Sequence, residues 1–154
     1  MQPRGPELLE EGRFDDALAC FNGPDLRSVF GRAVALQLLG RFDEAAETYD
    51  AVLAADPEHR ETLANLIALH VERFDLGRVE KYARRLLAID ITSQVALRGL
   101  IVVSVERSDF DLAARCFAKL DLNEESCRDA VEYRLGRQIV DRLRDHYGSI
   151  AHPY

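Results

Sequence analysis

A chain of 154 residues with 47% hydrophobic and 31% charged side chains, and only five Pro, carries enough apolar surface to fold alone as one domain. Its formal net charge of −7 opposes sequence-independent phosphate binding, which needs clustered Lys and Arg, so nucleic acid is excluded as a partner. No apolar run approaches membrane-spanning length, and Met1 to Pro6 has neither the basic start nor the apolar region of a signal, which predicts a cytoplasmic protein without a membrane partner.

Along the chain, Pro3 and Pro6 leave room for only a short first helix over 6–11, so the opening unit is truncated or the chain is a piece of something longer. Apolar residues then return every three or four positions, as in Val29, Ala33, Leu36 and in Leu63, Leu66, Ile67. This spacing predicts helices over 14–22, 25–39, 42–55, 59–73, 75–89, 93–107 and 109–120. The breaks carry stop and start chemistry: Gly40 as a left-handed stop, Pro57 in a first turn, and Thr92-Ser93 and Ser108 as N-cap oxygens. No segment alternates as a strand. Asn123 can cap a last helix expected over 124–147, with Glu124-Glu125 at its positive end and a stripe of Cys127, Val131, Leu135, Ile139, Leu143 and Tyr147. That helix is expected to close the apolar end of the stack, and a tail over 148–154 follows.

The chain repeats itself. Gly12-Arg13-Phe14-Asp15-Asp16-Ala17 recurs as Gly40-Arg41-Phe42-Asp43-Glu44-Ala45, an offset of 28 residues. Steps of 34 from there land on Phe74 to Val79 and on Ser108 to Ala113, and other columns keep the register: Phe21, Tyr49, Ala83 and Phe117; Val29, Leu63 and Leu97. The units run over about 5–25, 26–59, 60–93 and 94–122. On these residues the chain resembles the tetratricopeptide family, whose unit is two antiparallel helices with small residues at their crossing and a proline at the end. Ala17, Ala45 and Ala113 match the crossing position and Pro57 the terminal proline. Val79 departs from the small crossing residue, and Val29, Leu63 and Leu97 stand where the family has Trp. The resemblance covers about 5–122 and implies an all-α fold over 1–154: a right-handed α-solenoid of antiparallel helix pairs.

In that family the first helix of each unit faces a concave groove. Carried over by register, the wall is Arg27, Phe30, Val34 and Gln37; then Glu61, Ala64, Ala68 and Val71; then Val95, Arg98, Val102 and Val105, with Asn65 beside them. Eight of the first twelve are apolar, and a contiguous apolar patch on a soluble protein marks an interaction site. The other reading is that helix twist tucks several of them into packing between units. The resemblance implies a non-catalytic adaptor or scaffold that binds a peptide or helix of another protein. The alternatives are a dedicated chaperone for a secreted or aggregation-prone client and a regulatory subunit of an enzyme. Self-association through the groove or the tail is a further expectation. The family's clamp for chaperone C-termini needs Lys and Asn positions of which only Asn65 corresponds, so a co-chaperone of that type is not expected.

Chemistry is not expected. Cys20, Cys116 and Cys127 form no Cys-x-x-Cys pair, and His59, His70, His146 and His152 fall on unrelated elements without carboxylates at ligand spacing, which predicts no metal. There is no phosphate-binding glycine loop and no nucleophile elbow, so neither a cofactor nor an enzyme is expected. Asp15-Asp16 and Asp43-Glu44 are explained by first-turn dipole effects, and Arg78, Lys81, Arg84 and Arg85 by a solvated convex face.

Overall fold

A computed structural model describes residues 4–120, and within them lie eight α-helices and no strand. They are α1 (Gly5–Glu10), α2 (Phe14–Cys20), α3 (Leu26–Leu38), α4 (Phe42–Ala55), α5 (Arg60–Glu72), α6 (Leu76–Ile89), α7 (Gln94–Glu106) and α8 (Phe110–Phe117). The expected closing helix over 124–147 and the tail over 148–154 lie outside the described residues.

Each pair reverses by the same device. Gly12, Gly40, Phe74 and Ser108 take positive φ values of 75°, 77°, 56° and 57°. Around each of them two backbone bonds close the helix end: Gly40 N–H donates to Gln37 O at 3.0 Å and Arg41 N–H to Leu36 O at 2.9 Å, and the pattern recurs at the other three. Ser108, expected as an N-cap, is therefore the left-handed residue of its turn. Asp109 takes the capping role, accepting from Leu112 N–H at 3.2 Å. The first helices start from one column as well, since Asp25, His59 and Ser93 accept from the backbone N–H of Ser28, Thr62 and Ala96. Pro57, expected inside a first turn, precedes α5, and His59 Nδ1 supplies the cap from outside the helix.

The crossing column packs as the small residues require: Ala17, Ala45, Val79 and Ala113 are all fully buried. The larger Val79 is tolerated because Gly99 lies opposite. A methyl group placed on Gly99 would stand 2.9 Å from Ile67 Cγ2 and 3.2 Å from Val79 Cγ1, so a side chain there would collide with the valine that replaced alanine. Gly31 does the same for Phe21, whose ring would lie 2.5 Å from an added methyl.

Every helix packs on its neighbours in sequence. Beyond that, α1 meets α3 and α5 meets α7, whereas no two second helices of adjacent pairs pack comparably among the described residues. In these two places the first helices approach one another more closely than the second helices of the same pairs do. The core forms two clusters. The larger runs from Ala33 in α3 to Cys116 in α8, and a smaller one of Leu8, Ala17, Phe21 and Ala35 holds the N-terminal end.

Candidate functional site

The residues expected on the wall all keep some exposure to solvent. Arg27, Glu61, Ala68 and Val95 are exposed, and Phe30, Val34, Gln37, Ala64, Asn65, Val71, Arg98, Val102 and Val105 are half-buried. Their neighbours on the same helices, including Leu36, Leu63, Ile67 and Leu100, are buried. The division follows helical geometry: a step of three or four residues stays on a face, and a step of one or two leaves it. Phe30, Val34, Ala64, Val71 and Val105 also rest against the larger core cluster. They form the core's rim, half-buried between the cluster and solvent.

At the N-terminal end the wall deepens into a cleft of about 530 Å³. Pro6 and Leu9 of α1 form one side, Phe30 and Val34 of α3 the floor, and His59 the far edge, with Arg27 and Glu61 at the rim. The cleft gathers four of the expected residues: Arg27, Phe30, Val34 and Glu61. The wall residues of α7 do not line it. The Phe30 ring is fixed by two tilted aromatic contacts, 5.1 Å from His59 and 6.1 Å from Tyr49 between centroids.

Beyond the cleft the wall becomes polar. Tyr49, on the second helix of its pair and fully buried, sends its hydroxyl between α3 and α5. That hydroxyl donates to Gln37 Oε1 at 2.7 Å and accepts from Asn65 Nδ2 at 3.2 Å. Burial pushes the phenol well above its ordinary pKa, so it stays a neutral donor. Register assigned Gln37 and Asn65 to the wall but did not place Tyr49 with them, and so missed the residue that joins them. One signal was present in the repeat: where Asn65 stands, the sister units carry Gly31 and Gly99.

The remaining candidates sit elsewhere. His70 is buried and stacked on Tyr82, with 5.7 Å between centroids and 9° between planes, and burial is the main cause holding its pKa below the usual imidazole value. The cations of α6 are engaged within the chain: Arg84 pairs with Glu80 at 3.2 Å, Arg78 lies 3.7 Å from Asp75, and Arg85 donates to Pro57 O at 3.1 Å. Cys20 is exposed and Cys116 buried, and both are free thiols. Among the described residues no group of three or more His, Cys, Asp or Glu is placed to hold a metal ion, and no helix is long and apolar enough to cross a membrane.

Comparison with known proteins agrees with this geometry. A family model described as tetratricopeptide repeat matches residues 3–60 and again 30–89, which together exceed half of the chain. No curated protein sequence matches. A tetratricopeptide repeat protein from Parabacteroides merdae superposes with a TM-score of 0.74 at 18% identity, over 94% of this chain but only 59% of its own length. A fragment of MamA from Desulfovibrio magneticus RS-1 gives 0.71 at 14% identity, over 96% of this chain and 93% of that one. BtubC from P. vanneervenii gives 0.57 at 19% identity, over 97% and 80%. The chain belongs to the tetratricopeptide repeat family, and its fold is an all-α solenoid of antiparallel helix pairs.

Proposed function

We propose that this protein is a cytoplasmic, non-catalytic adaptor that receives a segment of another polypeptide against the wall formed by α3, α5 and α7. One observation carries the reading. All thirteen wall residues keep contact with solvent, and two of the apolar ones, Phe30 and Val34, line an open cleft with Arg27 and Glu61. Apolar side chains held at a surface by a rigid scaffold retain unspent burial energy, about 25 cal/mol per Å² once a partner covers them. The family's general use as an interaction module agrees with this.

The test is affinity capture from an extract of the source cells, comparing the native protein with Phe30→Glu and with Arg27→Glu. Phe30→Glu places a carboxylate on the cleft floor and is expected to abolish capture. Arg27 is exposed, so its reversal leaves the fold alone and is expected to weaken capture without changing helical circular dichroism. A partner retained equally by both variants, with both folded, would place binding somewhere other than this wall. A captured protein that is soluble only with this chain present would make the adaptor a chaperone.

A further inference from the structure

A second groove lies behind α7, away from the wall. Leu97 and Leu100 form its floor, and around the helix they stand on the side opposite Arg98, Val102 and Val105. One side runs from Arg84 on α6 to Ile91 just past it, and the other from Leu112 on α8 to Lys119 in the turn that follows. Seven steps at about 1.5 Å make the groove about 10 Å long. Its volume is about 460 Å³, inside the range of about 300–1,000 Å³ usual for small-molecule sites.

The repeat contains a filled version of the same joint. One unit earlier, Leu53, Leu63 and Leu66 stand where Leu87, Leu97 and Leu100 stand here. There Tyr82 closes the joint: it is buried, and its hydroxyl crosses to α4 and donates to Asp50 Oδ1 at 3.0 Å. Two cations face its ring, Lys81 with Nζ 5.2 Å from the centroid and Arg85 with Cζ 6.0 Å from it. One unit later the ring is gone. Cys116 replaces Tyr82, Arg115 and Lys119 keep the positions of the two ring-facing cations, and Arg84 replaces Asp50. The later joint has therefore lost its aromatic side chain, kept the cations that attend one, and exchanged the acceptor at the far end for a cation.

Positive charge converges on this place. Burial raises the pKa of the Cys116 thiol, and the charges that oppose it are those of Lys119, Arg115 and Arg84. Among the described residues no carboxylate lines the groove. Glu80, the partner of Arg84, is shared with Arg107 and so does not cancel the cluster. On a chain of net charge −7 the groove is a local reversal of sign, and it selects for an anion.

We propose that this groove binds a small aromatic carboxylic acid, with its ring on the leucine floor beside Arg115 and Lys119 and its carboxylate on the Arg84 guanidinium. The ring takes the place that Tyr82 fills one unit earlier, and the carboxylate complements Arg84 as the Tyr82 hydroxyl complements Asp50. A free molecule fits better than a protein. Among the described residues Ile91 is the only exposed large apolar side chain at the groove, far short of the roughly 800 Å² per partner that a stable protein interface covers. The site is on another face than the cleft at Phe30, and it does not rest on the adaptor reading.

The test titrates para-phenylbenzoate, a rod of about the groove's length, into the whole protein by calorimetry. Saturable binding is expected, at least about tenfold tighter than that of para-phenylbenzamide, which keeps the rings and lacks the charge. The fully saturated analogue, which keeps the charge and lacks the rings, is expected to bind more weakly than the aromatic acid. Cys116→Tyr restores the side chain of the earlier unit and is expected to weaken the acid at least about tenfold without lowering the melting temperature. Arg115→Glu and Lys119→Glu change exposed positions, which keeps the test open should the tyrosine disturb packing. Each is expected to weaken the acid about tenfold with circular dichroism unchanged. Phe30→Glu is expected to leave the acid's affinity as it is. Absence of saturable binding at millimolar acid would overturn the proposal, as would equal affinity for the amide or an affinity indifferent to Cys116→Tyr and to both charge reversals. A protein held by the native chain and lost from Cys116→Tyr, with no acid binding, would overturn it in favour of a docking surface.

Discussion

His70 occupies the column filled by Leu36 one unit earlier, an apolar position inside α5. Its ring lies flat on Tyr82, and its Nδ1 has no partner. Burial is the largest influence on the imidazole and lowers its pKa; of the charges that reach it, Arg78 and Arg73 lower it further, while Asp75 and Asp50 raise it. A proton therefore binds the unfolded chain before it binds the folded one. Stability contributed by neutral His70 is complete above the unfolded value of about 6.5 and declines as pH falls through it, levelling once the folded form is also protonated. Denaturant titrations at a series of pH values are expected to show this decline in the native protein and a shallower one in His70→Leu. Equal slopes would mean that the imidazole is not held neutral by its surroundings.

The helix pair, with its turn, is the element on which the sequence was most readable. Helix bounds expected from periodicity agree with those observed to within three residues. The cause is physical: each turn within a pair needs a positive φ at one position, and that position recurs through the repeat. A shorter match would have misled, since Arg73-Phe74-Asp75 copies Arg41-Phe42-Asp43 but sits two residues earlier in its unit. The backbone follows the unit, giving Phe74 the left-handed conformation of Gly40 and leaving its ring 58% exposed. Phe74→Gly removes that conformational cost and is expected to raise unfolding free energy by about 1 kcal/mol. Calorimetry would show the higher melting temperature; no gain would indicate that the exposed ring compensates through contacts of its own. Which positions are buried was legible because periodicity fixes a face. The Gln37, Tyr49 and Asn65 triad was not, because three elements must meet before one hydroxyl reaches two amides, and His59 as a cap escaped notice because Asp, Asn, Ser and Thr usually hold that place.

For the molecule as a whole, the division of the core matters more than any single contact. Units in a solenoid are stabilised by their immediate neighbours, so a small terminal cluster opens at lower free energy than a large central one. Amides of α1 and α2 are expected to exchange hydrogen well before those of α5 and α6. Gly31→Ala, which drives a methyl against the Phe21 ring, is expected to widen that gap without loosening α6. Uniform acceleration along the chain, measured by mass spectrometry, would instead show one cooperative body.

The cleft lies across this division. Its α1 side belongs to the fraying end and its α3 and α5 sides to the durable centre. An occupant touching both sides is a strap across the seam, favoured only while the first hairpin is docked. By mass action it suppresses the opening of that hairpin by a factor of one plus the ratio of free ligand to its Kd. Occupancy then registers as protection of a helix to which most of the ligand is not attached, and residues that loosen the first hairpin govern affinity without meeting the guest.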